Sequence, residues 1–110
     1  MTNAAYVRLL WSGNTQSAVT LASSLANFRA IMVTIGGSDN VDEGSTVVWS
    51  PHNKTFDVTA AFVVGTNNFR FMRMRLYGNG TSLTPTVVDG QDADGYTSST
   101  AYLHSVVGLV

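Results

Sequence analysis

The sequence predicts an all-β fold: one antiparallel β-sandwich, jelly-roll-like, of about eight strands. Three observations lead there. Short segments rich in Val, Ile, Phe, Thr and Tyr recur along the 110 residues, and these side chains fit a pleated surface. Between them lie "SGNTQ", "GGSDNVDEG", "PHNK", "GTNN", "GNGTS" and "DGQDADGYTSS", each carrying turn chemistry. Within the segments, apolar residues alternate with period two, which places them on one side of a strand.

Taken in order, strands are expected over Ala5–Trp11, Ser17–Ala22, Phe28–Gly36, Thr46–Ser50, Thr55–Val64, Phe69–Tyr77, Thr84–Val88 and Ala101–Val110. In the second segment Ala18, Leu21, Ala22, Leu25 and Phe28 fall at helical spacing, but the β-branched Val19-Thr20 pair and three nearby serines oppose a long helix. A strand to Ala22 followed by a single helical turn reconciles the two. The third places Ile31, Val33 and Ile35 on one face and Phe28, Ala30 and Met32 on the other. The fifth sets Phe56, Val58 and Ala60 opposite Thr55, Asp57 and Thr59, then turns apolar on both sides at Ala61–Val64. Two-sided apolar strands in so small a sandwich need a second cover, and another subunit is the expected one. Pro51 and Pro85 are placed at strand margins, where a missing N–H does least harm.

Totals narrow the function. A single domain spanning residues 1–110 is the expected organisation. Charged residues make up 12 %, about half the usual share, so the surface is dressed in Ser, Thr, Asn and Gly. That suits a particle-bound or extracellular protein, or one largely hidden in an assembly. A net charge of −1 offers no field to a nucleic acid backbone or an anionic membrane. No cysteine is present, which removes disulfides and thiolate chemistry. The opening residues have no basic n-region and too short an apolar run for a signal peptide, and no apolar run is long enough to span a bilayer, so neither export through a secretory signal in this chain nor membrane insertion is expected.

The stretch "FRFMRMRLYG" presents Met72, Met74 and Leu76 on one side and Phe69, Phe71, Arg73, Arg75 and Tyr77 on the other. The first is a core face. The second mixes aromatics with arginine, the composition that protein interfaces favour, and is assigned to a subunit interface. Five of the six cationic residues are Arg. Arginines near a symmetry axis need partners, which Asp57 or the acidic loop Asp39–Glu43 would supply. A surface strand with wet guanidiniums, or a base-stacking platform, is the competing reading, the latter short of positive charge.

Chemistry-bearing constellations are sparse. "DGQDADG" holds Asp89, Asp92 and Asp94 and resembles part of a calcium loop, but turn formation accounts for it, so neither metal nor cofactor is expected. Glu43 is the single glutamate, and nothing pairs it with an aspartate for glycoside hydrolysis. Without a Gly-x-Ser-x-Gly elbow, His52 and His104 have no nucleophile to serve, and His104 in an apolar strand is expected to be structural. No catalysis is expected. For ligand binding, Trp49 with His52 and Asn53 forms one candidate group, and Asp92, Asp94 and Tyr96 with Ser98 form another.

The opening also resembles a known group. Leu10-Trp11-Ser12-Gly13 ends a strand in an aromatic and Ser-Gly, Val19-Thr20-Leu21 follows, then Ser23 to Phe28 as a Ser-x-x-x-Asn-Phe step, then Ile31-Met32-Val33. The close, Val107-Gly108-Leu109, supplies a hydrophobic-Gly-hydrophobic ending. These are similar to the C-terminal receptor-binding domain of bacteriophage tail fibres, convincingly over about a third of the chain. The resemblance implies a homotrimeric β-sandwich at a fibre tip on the virion. It would recognise a host cell-surface glycan or protein. The alternative is a structural virion component, a head-fibre, decoration or adaptor protein that binds other virion proteins, and a small glycan-active hydrolase ranks below both.

Overall fold

Period-two alternation and closely spaced turn residues yield strands throughout the computed structural model, which describes residues 7–37, 43–65, 68–92, 97–98 and 101–109. The strands are β1 (Val7–Thr15), β2 (Val19–Thr20), β3 (Ala30–Gly36), β4 (Glu43–Trp49), β5 (Lys54–Gly65), β6 (Asn68–Asn79), β7 (Ser82–Asp92), β8 (Thr97–Ser98) and β9 (Tyr102–Leu109). Every pairing is antiparallel. One sheet runs β1-β9-β3-β4. The second runs β2-β7-β6-β5, with the two-residue β8 also on β7. The topology is jelly-roll-like where β9 inserts between β1 and β3 while β2 crosses to the other sheet. The middle of the chain is simpler, a β3–β4 hairpin followed by a β5–β6–β7 meander.

The sheets share one core. Leu10, Ile31, Val33, Ile35, Val48, Leu103 and Val106 face inward from the first, and Phe56, Val58, Met72, Met74, Leu76 and Leu83 from the second. Each fully buried side chain of this size contributes about 1.5–3 kcal/mol. At one margin the Ala22 amide donates to the Leu10 carbonyl (2.9 Å). At the other, the Thr59 amide donates to Thr46 Oγ1 (3.2 Å). There β4 crosses so close to β5 that a Cβ on Gly44 would lie 2.5 Å from that of Ala60.

The expected helical turn is a 3-10 turn over Leu25–Asn27, capped by Ser24, whose hydroxyl accepts from the Ala26 amide. It delivers Phe28 onto Gly108, where an added Cβ would meet the ring at 2.5 Å. The Asn-Phe step and the Val-Gly-Leu ending, quoted separately from the sequence, are therefore one packing contact.

Several boundaries differ from expectation. The Ser17–Ala22 strand contracts to two residues, because Leu21 and Ala22 bond to Thr81 and Leu10 across the two sheets. Pro85 lies inside β7, not at its margin. The register with β6 shifts between Arg75 and Leu76 there, and a bulge accommodates a residue that has no amide hydrogen. The connection beginning Asp89-Gly90 is likewise not all loop. β7 continues to Asp92, and β8 folds back on it with Ser98 opposite Gly90.

Candidate functional site

The outward side of β6 holds Phe69, Phe71, Arg73, Arg75 and Tyr77 in a single exposed row, while Met72, Met74 and Leu76 are fully buried behind it. Register with the flanking strands decides its chemistry. Asp57 on β5 lies directly opposite Arg75, and Asp89 on β7 directly opposite Arg73. Both pairs are bidentate. Arg75 donates from Nε and Nη2 to the two Asp57 oxygens at 2.8 and 3.2 Å. Arg73 does the same to Asp89 at 2.8 and 3.1 Å. A depression of about 40 Å³ opens between them, lined by Asp57, Arg73, Arg75 and Val87.

These contacts shift the ionisation of all four groups. The hydrogen bond from Arg75 pulls the Asp57 carboxyl below its ordinary range, with the Arg75 and Arg73 charges adding to it. Arg73 does the same to Asp89, and both guanidiniums are pushed upward in turn. The face is thus a neutral ladder of fixed donors and acceptors flanked by three aromatic rings.

Tyr77 extends the row to the turn between the sheets, donating from its hydroxyl to Asn53 Oδ1 (2.9 Å). His52 Nδ1 accepts from the Gly80 amide (3.1 Å), which ties this turn to the β6–β7 hairpin. Asn53 and Ser50 both carry positive φ, 54° and 51°. Asn tolerates that region through its short polar side chain, whereas Ser50 is held there with its amide donating to the Arg29 carbonyl (2.7 Å).

The sequence-derived groups are redistributed by the fold. Asn53 joins the β6 row through Tyr77. Trp49 parts from it, since it projects from the outer side of the first sheet. Asp57, named from sequence as a partner for these arginines, pairs within the same chain. Asp89 was missed as a partner because Asp-Gly reads as a turn. The acidic group is only partly described: Asp92 lies opposite Arg70 in the β6–β7 ladder, while Asp94 and Tyr96, like Asp39 and Asp42, fall outside the described residues.

His104 is buried and hydrogen-bonded, its Nδ1 2.5 Å from Glu43 Oε2 and its Nε2 2.7 Å from the Gly37 carbonyl. Thr34 pairs with Ser105 and Ile35 with Leu103, so His104 is the bulged residue of β9. Among the described residues, no three His, Asp or Glu side chains gather to hold a metal ion. A scan against protein-family models gives no match, and neither does a search of curated protein sequences.

Proposed function

We propose that this chain is a non-catalytic recognition domain of a phage particle, a tail-fibre tip acting as a homotrimer, that binds a host cell-surface glycan. The observation that carries the reading is the outer face of the second sheet. Sugar hydroxyls both donate and accept, and this face offers carboxylate acceptors beside guanidinium donors at fixed spacing. The Nε–Nη2 contacts engage one edge of each guanidinium, and the Nη1 edge is the one a ligand would use. Phe71 and Tyr77 stand beside the ladder to cover an apolar sugar face. Ion pairs already closed within one chain need no partner in trans, so the row that sequence composition assigned to subunit packing is better suited to a ligand. The resemblance of the opening third to tail-fibre tip domains adds to the reading.

The test is binding of the purified chain to host cells and to a panel of neutral glycans. Phe71→Ala and Arg73→Ala are each expected to lower binding at least tenfold while leaving the β-sheet circular dichroism unchanged. Unchanged binding in both variants overturns the site. Retention on other virion proteins, with none on cells or glycans, replaces the reading with a structural role in the particle.

A further inference from the structure

The first sheet has an outer face of a different kind. Antiparallel register sets Leu9, Val107, Met32 and Val47 side by side across all four strands, and Val7, Leu109, Ala30 and Trp49 form the adjacent row. The strands at the two margins carry the most exposed members: Val7 at 62 %, Leu9 at 58 %, Val47 at 47 % and Trp49 at 66 %. On the other side of the Leu9–Val47 row, Ser105, Thr34 and Ser45 continue the ladder, with the Thr34 and Ser45 hydroxyls 2.7 Å apart. The face is therefore two apolar rows bordered by uncharged hydroxyls, and none of its eight apolar members ionises.

From these side chains we infer that copies of this chain pack against one another through the outer face of the β1-β9-β3-β4 sheet. The inference rests on the self-association in the function proposed above and gives it a location. Exposed apolar area here is on the order of 500 Å², the upper range of what a monomer leaves open. It would form the apolar centre of an interface that buries about 800 Å² on each partner, with the hydroxyl row as its polar rim. Identical faces meet around a symmetry axis, where any charge would oppose its own copy. The two apolar rows carry none, and Glu43, the charged residue on the same side of β4, lies beyond the hydroxyl row against His104, while the second sheet presents two arginines and two aspartates. A charged partner, by contrast, would find nothing to complement.

The experiment combines solution mass with a site-specific probe. Light scattering of the unaltered chain is expected to give about three times 11.7 kDa, and Leu9→Asp is expected to reduce it to a single chain with its circular dichroism retained. Because the chain has no cysteine, Val47→Cys and Thr55→Cys install single thiols on the first and second sheets. Maleimide labelling at residue 47 is expected to be at least tenfold slower than at residue 55 in the assembly. It should become equal to it in a Leu9→Asp background. A monomeric unaltered chain, or an assembly that survives Leu9→Asp with residue 47 freely labelled, overturns the inference. If Leu9→Asp fails to fold, the two labelling rates in the unaltered background decide alone. Failure of the glycan reading is separable, since assembly through this face with no binding to cells or glycans leaves the inference standing.

Discussion

Arg73 and Arg75 stand two residues apart on one strand, and each has its own carboxylate directly across the ladder. Like charges so placed would repel if left bare, and the aspartates remove that cost. Asp57 and Asp89 titrate below the ordinary carboxyl range when folded, so their stabilisation is fully present above the unfolded value of about 3.9 and is lost as pH falls through the lower folded values. Melting temperature is therefore expected to fall between about pH 5 and pH 3. The Asp57→Asn, Asp89→Asn double variant should show a flatter profile across that window, and an identical profile would remove these pairs from the account. Arg73, Arg75 and Asp57 are exposed and Asp89 half-buried, so added salt should shrink the effect. His104 works on the inside. Its two ring nitrogens are held between the Glu43 carboxyl and the Gly37 carbonyl, which fixes the ring in the bulge of β9. His104→Phe fills the space and removes both bonds, and is expected to cost about 1–3 kcal/mol in denaturant unfolding. No change in the unfolding midpoint would show the contact to be incidental.

At the scale of elements, close approaches decide where strands sit. Gly108 lies under the Phe28 ring, and Gly44 lets β4 pass over β5. Gly108→Leu drives a branched side chain into a ring with nowhere to go, and a loss of about 1–3 kcal/mol or more is expected from overpacking. Thermal melting of that variant beside Phe28→Ala, Gly108→Leu checks it, since removing the ring should recover part of the loss. The same elements show what a sequence discloses. Alternation in "FRFMRMRLYG" separated core from surface correctly, because period two is a local property. Ser24 and the β-branched Val19-Thr20 pair marked the strand-then-turn step for equally local reasons. Asp89 escaped because Asp-Gly favours turns, whereas here Gly90 is buried in β7 with Ser98 opposite. The apolar rows of the first sheet were half legible, since Ala30 and Met32 marked β3 as apolar on its outer side, although Phe28, read with them, packs inward on Gly108. Each strand contributes only two residues, and they become a face only when β9 slots between β1 and β3, a register that links positions as far apart as Val7 and Leu109.

The whole molecule is an elongated sandwich, 51 × 28 × 20 Å, with two unlike outer faces. One carries two uncharged apolar rows, and the other is charged, internally neutralised and aromatic. On this account the first joins copies and the second meets the ligand. Composition assigned the aromatic and arginine row to the subunit interface with Asp57 as a partner for its arginines; with both arginines paired within the chain, this account gives that face to the ligand instead. The most direct measurement is light scattering of three proteins side by side: the unaltered chain, Leu9→Asp and Phe71→Ser. The account predicts an assembly for the first and the last, and a single chain for Leu9→Asp. Dissociation of Phe71→Ser with an intact Leu9→Asp assembly would contradict it and return the β6 row to the subunit interface.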